Sequence, residues 1–258
     1  MPKRASYIGE AGIAGDGHPL IPMQVETSAY FARFSSAPSE TYRNALNQAI
    51  FRWKQAGLYS LLQDLWLFVA GTQADSLRNL ISASRDATIN GSPTFTANRG
   101  FSGLGASNYV AMPFLAAGLS RDSGFIWAGD FNPSAGVGTL MGGGNSVPGS
   151  VLIDSYQSGQ AVGPRLGVGS SPAFTVQNSF STASAVIGAE SFATVNPTTI
   201  TGGGGSGGIV GSSPILANSG LQTRLIAYGT MPSPPDASYV RKFVSILNTF
   251  LDDVGALP

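Results

Sequence analysis

Phe125-Ile126-Trp127-Ala128 and, far downstream, Leu225-Ile226-Ala227-Tyr228 are the two runs that decide the fold. Each is short, rich in β-formers and apolar at consecutive positions, as expected of a strand with packed layers on both faces. Working outward from residue 83, similar runs recur every eight to fifteen residues between Gly, Pro, Asn and Asp clusters. They are Ala87–Ile89, Thr94–Thr96, Tyr109–Met112, Gly124–Gly129, Val151–Ile153, Ala173–Val176, Ala185–Gly188 and Thr223–Tyr228. Many short strands with turn punctuation predict a mainly β fold, a two-sheet sandwich or jelly roll.

Upstream of the strands the periodicity is helical. Tyr42, Leu46, Ala49, Ile50 and Trp53 recur at three- and four-residue steps, predicting a helix with one apolar face that starts near Ser36 to Ser39, with Pro38 in its first turn, and ends at Gly57. Its opposite face carries Arg43, Asn47, Arg52 and Lys54. A second short helical turn, 58–65, leads into Trp66-Leu67-Phe68-Val69, read as a buried central strand. The chain closes on a second helix. Ser233-Pro234-Pro235-Asp236 has the form of a capping box, and Tyr239, Val240, Phe243, Ile246, Leu247, Phe250 and Leu251 form an apolar stripe that ends at Gly255. The two helices are expected side by side on the sandwich. Residues 1–35 show neither period and are read as an extended N-terminal arm. Residues 36–258 are read as one sandwich domain with flanking helices over 36–65 and 234–254.

The 258 residues hold 14 basic and 14 acidic side chains, and 11% of the chain is charged. No large net field is present to gather nucleic acid or an anionic membrane, so neither is expected as a partner. Arg78, Arg85, Arg99 and Arg121 stand singly, without aromatic interleaving. Met1-Pro2-Lys3-Arg4 runs into Ser6, Gly9 and Glu10 without the apolar core of a secretory signal. The longest apolar run, 65–70, is about a third of a bilayer span. A chain made in the cytoplasm is expected.

Motifs for chemistry are few. Cysteine is absent and His18 is the single histidine, beside Asp16 in the arm, so thiolate chemistry and a two-histidine metal site are not expected. Gly204-Gly205-Ser206-Gly207-Gly208 matches a nucleophile elbow only as any glycine tract would. Glycoside hydrolysis needs two carboxyl groups about 5–9.5 Å apart. The glutamates Glu10, Glu26, Glu40 and Glu190 are scattered, and a cross-strand pair drawn from Asp122, Asp130, Asp154 and Glu190 stays open. No catalytic residue, metal or cofactor is expected, and the chain is read as not an enzyme. Sugar binding asks for less: an aromatic face for the ring and Asp or Asn for its hydroxyls. Trp127, Asp130, Asn132 and Tyr156 are the candidate ligand residues, with Asn145 a further amide.

Taken in order, several segments resemble a known family. They are Lys54-Gln55-Ala56-Gly57, then Leu58-Tyr59-Ser60-Leu61-Leu62-Gln63-Asp64-Leu65-Trp66-Leu67-Phe68. Ser92-Pro93-Thr94-Phe95-Thr96-Ala97-Asn98-Arg99-Gly100-Phe101 follows, with Val186-Ile187-Gly188-Ala189 and the closing helix after it. This resembles the concanavalin A-like lectin/glucanase sandwich proteins encoded among the virion genes of tailed bacteriophages and prophages. The resemblance spans about 36–256; the arm lies outside it, and 194–218 is looser. It implies a concanavalin A-like jelly roll and a non-enzymatic structural role on the virion, as capsid decoration or in the tail and its fibres. The partners would be other virion proteins and copies of this chain. The alternative is a receptor-recognition module that binds host surface glycan, and after it a polysaccharide-cleaving tail enzyme.

Overall fold

Ser39 caps the first long helix at the late end of the expected 36–39 start, so Pro38 precedes the helix and does not stand in its first turn. In the computed structural model the Ser39 Oγ accepts from the Tyr42 amide at 3.2 Å, and α2 runs Glu40–Gln55 with Glu40 in the first turn and Arg52 and Lys54 in the last. Gly57 closes it at φ 69°, with the Leu58 amide donating to Trp53 O at 2.8 Å and the Gly57 amide to Lys54 O at 3.0 Å. This pairing is a Schellman motif. The described residues are 21–104, 107–113, 124–131, 138–143, 150–156, 161–167, 176–177, 182–188, 192–195, 198–200, 215–217, 222–231 and 237–256; from 124 to 224 the description is of backbone alone.

Part of the stretch read as an extended arm is helical. Val25–Phe31 forms α1, lying against α2. Thr27 and Tyr30 are its buried residues, while Glu26 pairs with Lys54 of α2 at 2.9 Å. Seven residues are too short for periodicity to declare a helix, and it is the tertiary contacts that stabilise it. Tyr30, Phe31, Phe34 and Tyr42 form an aromatic cluster of edge-to-face and tilted pairs, which Phe250 joins edge-on through Tyr42 at 5.5 Å.

The strands are all antiparallel. In chain order they are β1 (Asp64–Leu67), β2 (Thr88–Asn90), β3 (Thr94–Thr96), β4 (Gly100–Ser102), β5 (Tyr109–Met112), β6 (Gly124–Phe131), β7 (Gly138–Gly143) and β8 (Ser150–Tyr156). There follow β9 (Ala161–Gly167), β10 (Val176–Gln177), β11 (Thr182–Gly188), β12 (Phe192–Val195), β13 (Thr198–Ile200), β14 (Ile215–Ala217) and β15 (Gln222–Met231). One sheet has eight strands, β13-β12-β11-β6-β15-β4-β3 with β1 also on β15; the other has seven, β10-β9-β8-β7-β14-β5-β2. Both decisive runs, 125–128 and 225–228, sit on the central pair β6 and β15 of the larger sheet.

The 3-10 turn Tyr59–Leu61, shorter than the helical turn expected over 58–65, the short α3 (Gln73–Ser76) and α4 (Ala237–Asp253) complete the described elements. The capping sequence 233–236 lies outside the described residues. α2 and α4 pack side by side, as expected, with the Trp53 and Phe243 rings stacked at 4.8 Å and 8°. Trp53 Nε1 donates to Phe243 O at 3.4 Å, so the buried indole keeps a partner. α4 ends at Gly255, φ 72°, in a second Schellman pairing.

The larger sheet is covered on both faces around β1 and β15. Leu65, Leu67, Val69, Ile226, Ala227 and Met231 join the core cluster made by the helices. Trp66, Phe68, Phe101, Leu225 and Tyr228 are equally buried outside that cluster, with Trp66 stacked on Tyr228 at 5.9 Å and Phe68 edge-on to Phe101 at 5.9 Å. β1 is thus buried on both faces as expected, yet it is not central. It takes half of one side of β15, and β4 takes the rest through Leu225 and Phe101. The outer edge of β1 is covered instead by the 79–80 segment, where the Leu80 amide donates to Leu65 O at 2.7 Å.

The segment Ser92–Phe101 is the β3–β4 hairpin and its approach. Asn98 turns at φ 58°, and its amide donates to Ala70 O at 3.2 Å. Gly100 follows at φ 88°, where a Cβ would meet Leu225 O at 2.2 Å. Only glycine lets the hairpin come this close to β15. Arg99 Nη1 donates to Gly255 O at 3.2 Å, tying the hairpin to the end of α4.

Candidate functional site

Trp127 and Asp130 both lie on β6, while Tyr156 ends β8 in the other sheet. Asn132 lies outside the described residues, in the connection from Phe131 to Gly138, and Asn145, His18 and the tract 202–208 also lie outside them. The strand pairing nevertheless sorts the candidates. Asp130 stands opposite Arg224 of β15 and Thr182 of β11 in the larger sheet. Gly138, where the chain re-enters a strand, stands opposite Ser155, and the adjoining Tyr156 stands opposite Ala161. The short 132–137 connection therefore joins the Asp130 end of one sheet to the Tyr156 end of the other. Trp127 is about 10 Å further along β6, opposite Tyr228 and Ala185. Arg224 was not among the candidates; cross-strand pairing alone brings it to Asp130, and one sequence carries no signal for that register.

A second feature is a groove between α2 and α4. It encloses about 400 Å³ and is lined by Phe51, Arg52, Gln55, Ala56, Lys242, Ser245 and Ile246. Phe51 is half-buried and stands outside the core cluster. Arg52 and Lys242 are exposed, and among the described residues no acid lines the groove.

Asp64, Asp75 and Asp86 are engaged in holding the fold. Asp64 Oδ1 accepts from Arg85 Nε at 2.6 Å and from Asn79 Nδ2 at 2.6 Å. Asp86 accepts from Arg33 at 3.1 Å, Arg78 at 2.7 Å and the Asn79 amide at 2.9 Å. Asp75 accepts from the Ser35 amide at 2.7 Å and from Thr72 Oγ1 at 2.7 Å, fixing the turn after α1 to the cap of α3. Each of these three is charge-paired or multiply hydrogen-bonded, so its oxygens are committed to the fold. Among the described residues no group of His, Cys, Asp and Glu could hold a metal ion.

No protein-family model and no curated protein sequence matches this chain. Among solved structures, Trypanosoma rangeli sialidase aligns over 79% of the chain at 13% identity with a TM-score of 0.50. The binding domain of botulinum neurotoxin DC in complex with SialylT aligns over 72% at 11% identity and 0.49. A botulinum neurotoxin type C structure, described through its interaction with two ganglioside molecules, aligns over 74% at 11% identity and 0.48. This chain spans 39%, 51% and 53% of those three chains, respectively. At such identity the likeness to the sialidase is one of fold, an antiparallel β-sandwich.

That likeness corrects one expectation. The chain was expected not to be an enzyme because the usual catalytic motifs are missing. A sialidase, which is an enzyme, contains this fold, so motif scarcity in such a sandwich gives no ground for excluding catalysis.

Proposed function

We propose that this chain is a carbohydrate-recognition module with a concanavalin A-like jelly-roll topology, binding glycan at the end of the sandwich where β6 passes into β7. The observation that carries the reading is the strand register. It gathers Asp130, Arg224 and Tyr156 at the two ends of one short connection, which itself contains Asn132. These residue types divide the work that a sugar site requires. An aromatic ring packs on the C–H face of a pyranose, carboxylate and amide groups bond its hydroxyls, and a guanidinium takes an acidic substituent. The topology supports the jelly roll: from β4 to β7, and again from β13 to β15, each successive strand lies in the opposite sheet. The sialidase likeness supports a sandwich that serves glycan chemistry. Trp127 is the outlying member of the proposed set.

The same module fits a place on a bacteriophage tail, where host surface glycan is the receptor and the virion its location. The support is the resemblance through Ser92–Phe101. That segment forms the hairpin joining the sheet, through Ala70 and Leu225, to the end of α4. Glycan-array binding of the full chain tests the recognition reading. Tyr156→Ala and Asp130→Asn should each lower affinity at least tenfold for any glycan bound, without shifting the thermal midpoint. Release of reducing ends from the bound glycan would show that recognition is followed by cleavage. Electron microscopy of gold-labelled phage particles tests the location separately.

A further inference from the structure

α4 turns two different faces to its surroundings. Phe243, Val244, Leu247, Phe250 and Leu251 belong to the core cluster, whereas Lys242, Ser245, Thr249 and Asp252 are exposed and Ile246 and Asp253 half-buried. Lys242 and Asp253 are separated by close to three whole helical turns, so they end one outward stripe about 16 Å long. Ser245, Ile246 and Thr249 lie between them. The acids are set against the helix dipole: Asp252 and Asp253 occupy the last turn, where no base accompanies them and the negative end of the helix disfavours them. Among the described residues the ion pairs are Arg33–Asp86, Lys54–Glu26, Arg78–Asp86 and Arg85–Asp64. Asp252, Asp253, Lys242 and the neighbouring Arg52 of the groove stand outside every one of these.

We propose that this stripe, with the adjoining groove, docks onto the same stripe of a second copy of the chain, the two α4 helices running antiparallel about a two-fold axis at the level of Leu247 and Asn248. Asp252 and Asp253 of each copy then come to Lys242 and Arg52 of the other, at the groove that Phe51 and Ile246 line with apolar surface. The symmetry makes each of these contacts twice. Parallel helices would set lysine against lysine and aspartate against aspartate, so charge selects the antiparallel arrangement. Cations at one end of the stripe and acids at the other are what self-complementarity requires, whereas a partner of one sign of charge would leave one end unmatched. The middle of the stripe tolerates burial, because Thr249 Oγ1 already donates to Ser245 O at 3.0 Å and strands no hydroxyl proton.

A patch of this size suits a transient dimer, with a dissociation constant of about 10–100 μM at low salt. Sedimentation velocity of the full chain, from well below to well above that range, reads it. Lys242→Glu and Asp253→Lys should each weaken the dimer at least tenfold. An equimolar mixture of the two variants should dimerise again, because every charged contact between Lys242 and Asp253 positions across the mixed pair once more joins opposite signs. The chain contains no cysteine, so Thr249→Cys supplies a second measurement that changes no charge. Mild oxidation should link two copies through it at least tenfold faster than through Ser84→Cys, at an exposed position. Circular dichroism checks folding, and the cysteine rates decide where a charge variant fails to fold. A parent that stays monomeric throughout would overturn the proposal. So would single charge variants that dimerise as the parent does, a mixture no more dimeric than either variant alone, or equal linking rates at the two cysteine positions.

Discussion

Arg85→Ala is the substitution whose cost the structure fixes most sharply. The Asp64 side chain is 2% exposed, and Arg85 provides its charge partner at 2.6 Å while also donating to Gln63 O at 2.8 Å. Removing the guanidinium takes this charge partner away from a buried carboxylate, to which Asn79 still donates. Breaking a buried pair from one side costs about 3–5 kcal/mol. The backbone carbonyl of Arg85, which accepts from Trp66 Nε1 at 3.0 Å, survives the substitution and does not add to the loss. Lys54→Ala provides the contrast. Its pair with Glu26 has side chains 37% and 25% exposed, so screening limits the cost to about 0.2–1 kcal/mol. Urea denaturation followed by tryptophan fluorescence reads both, because Trp53 and Trp66 are fully buried. Asp64→Asn placed in the Arg85→Ala background should recover part of the loss by removing the buried charge. An Arg85→Ala protein within about 1 kcal/mol of the parent would refute the reasoning, as would a double variant no more stable than the single one.

Gly100→Ala should cost more than Gly57→Ala. Both sites have positive φ, worth about 1–2 kcal/mol for an L side chain, but only at Gly100 would the new Cβ strike a carbonyl oxygen, at 2.2 Å, whereas Gly57 has nothing within 4 Å. Thermal midpoints rank the two variants. Burial holds the Tyr30, Tyr42 and Tyr228 phenols neutral far above their ordinary range, and Tyr59 is pushed up to about 12. In the unfolded chain these groups ionise near pH 10. Their folded pKa values are raised, so their contribution is complete below about pH 10 and is lost as pH climbs beyond it. The urea midpoint should hold up to about pH 9.5 and then fall, with the buried phenols gaining absorbance at 295 nm only as the chain unfolds. Trp53→Ala should cost about 3–5 kcal/mol, since it removes the stack on Phe243 that joins α2 to α4.

How much of this was legible in the sequence depends on whether a feature is local. α2 and the body of α4 were legible because each turns one apolar stripe to the same core, and the glycine cap at Gly57 is local chemistry. The two-sheet class was legible from strands that are apolar at consecutive positions. α1 was not, being seven residues long and held by Glu26–Lys54 and the Tyr30–Phe34 contact rather than by its own propensity. β4, β7, β9, β12, β13 and β14 lie in stretches so rich in Gly, Thr, Ser and Ala that no alternation marks them; the pairing partner makes each a strand. The margin position of β1 was hidden for a related reason, since burial of both faces does not reveal which edge is paired. Of the candidate site, the residue types were legible but their grouping was not. Asp130 and Arg224 are far apart in the chain, and only the β6–β15 register brings them opposite each other.

Glycan binding at the β6–β7 end of the sandwich is tested most directly by isothermal titration of the full chain with each glycan that scores on an array, repeated with Tyr156→Ala and Asp130→Asn. The account predicts saturable binding by the parent and at least a tenfold loss in each variant at unchanged thermal stability. Unaltered affinity in both variants, or an array on which the parent binds no glycan, would contradict it.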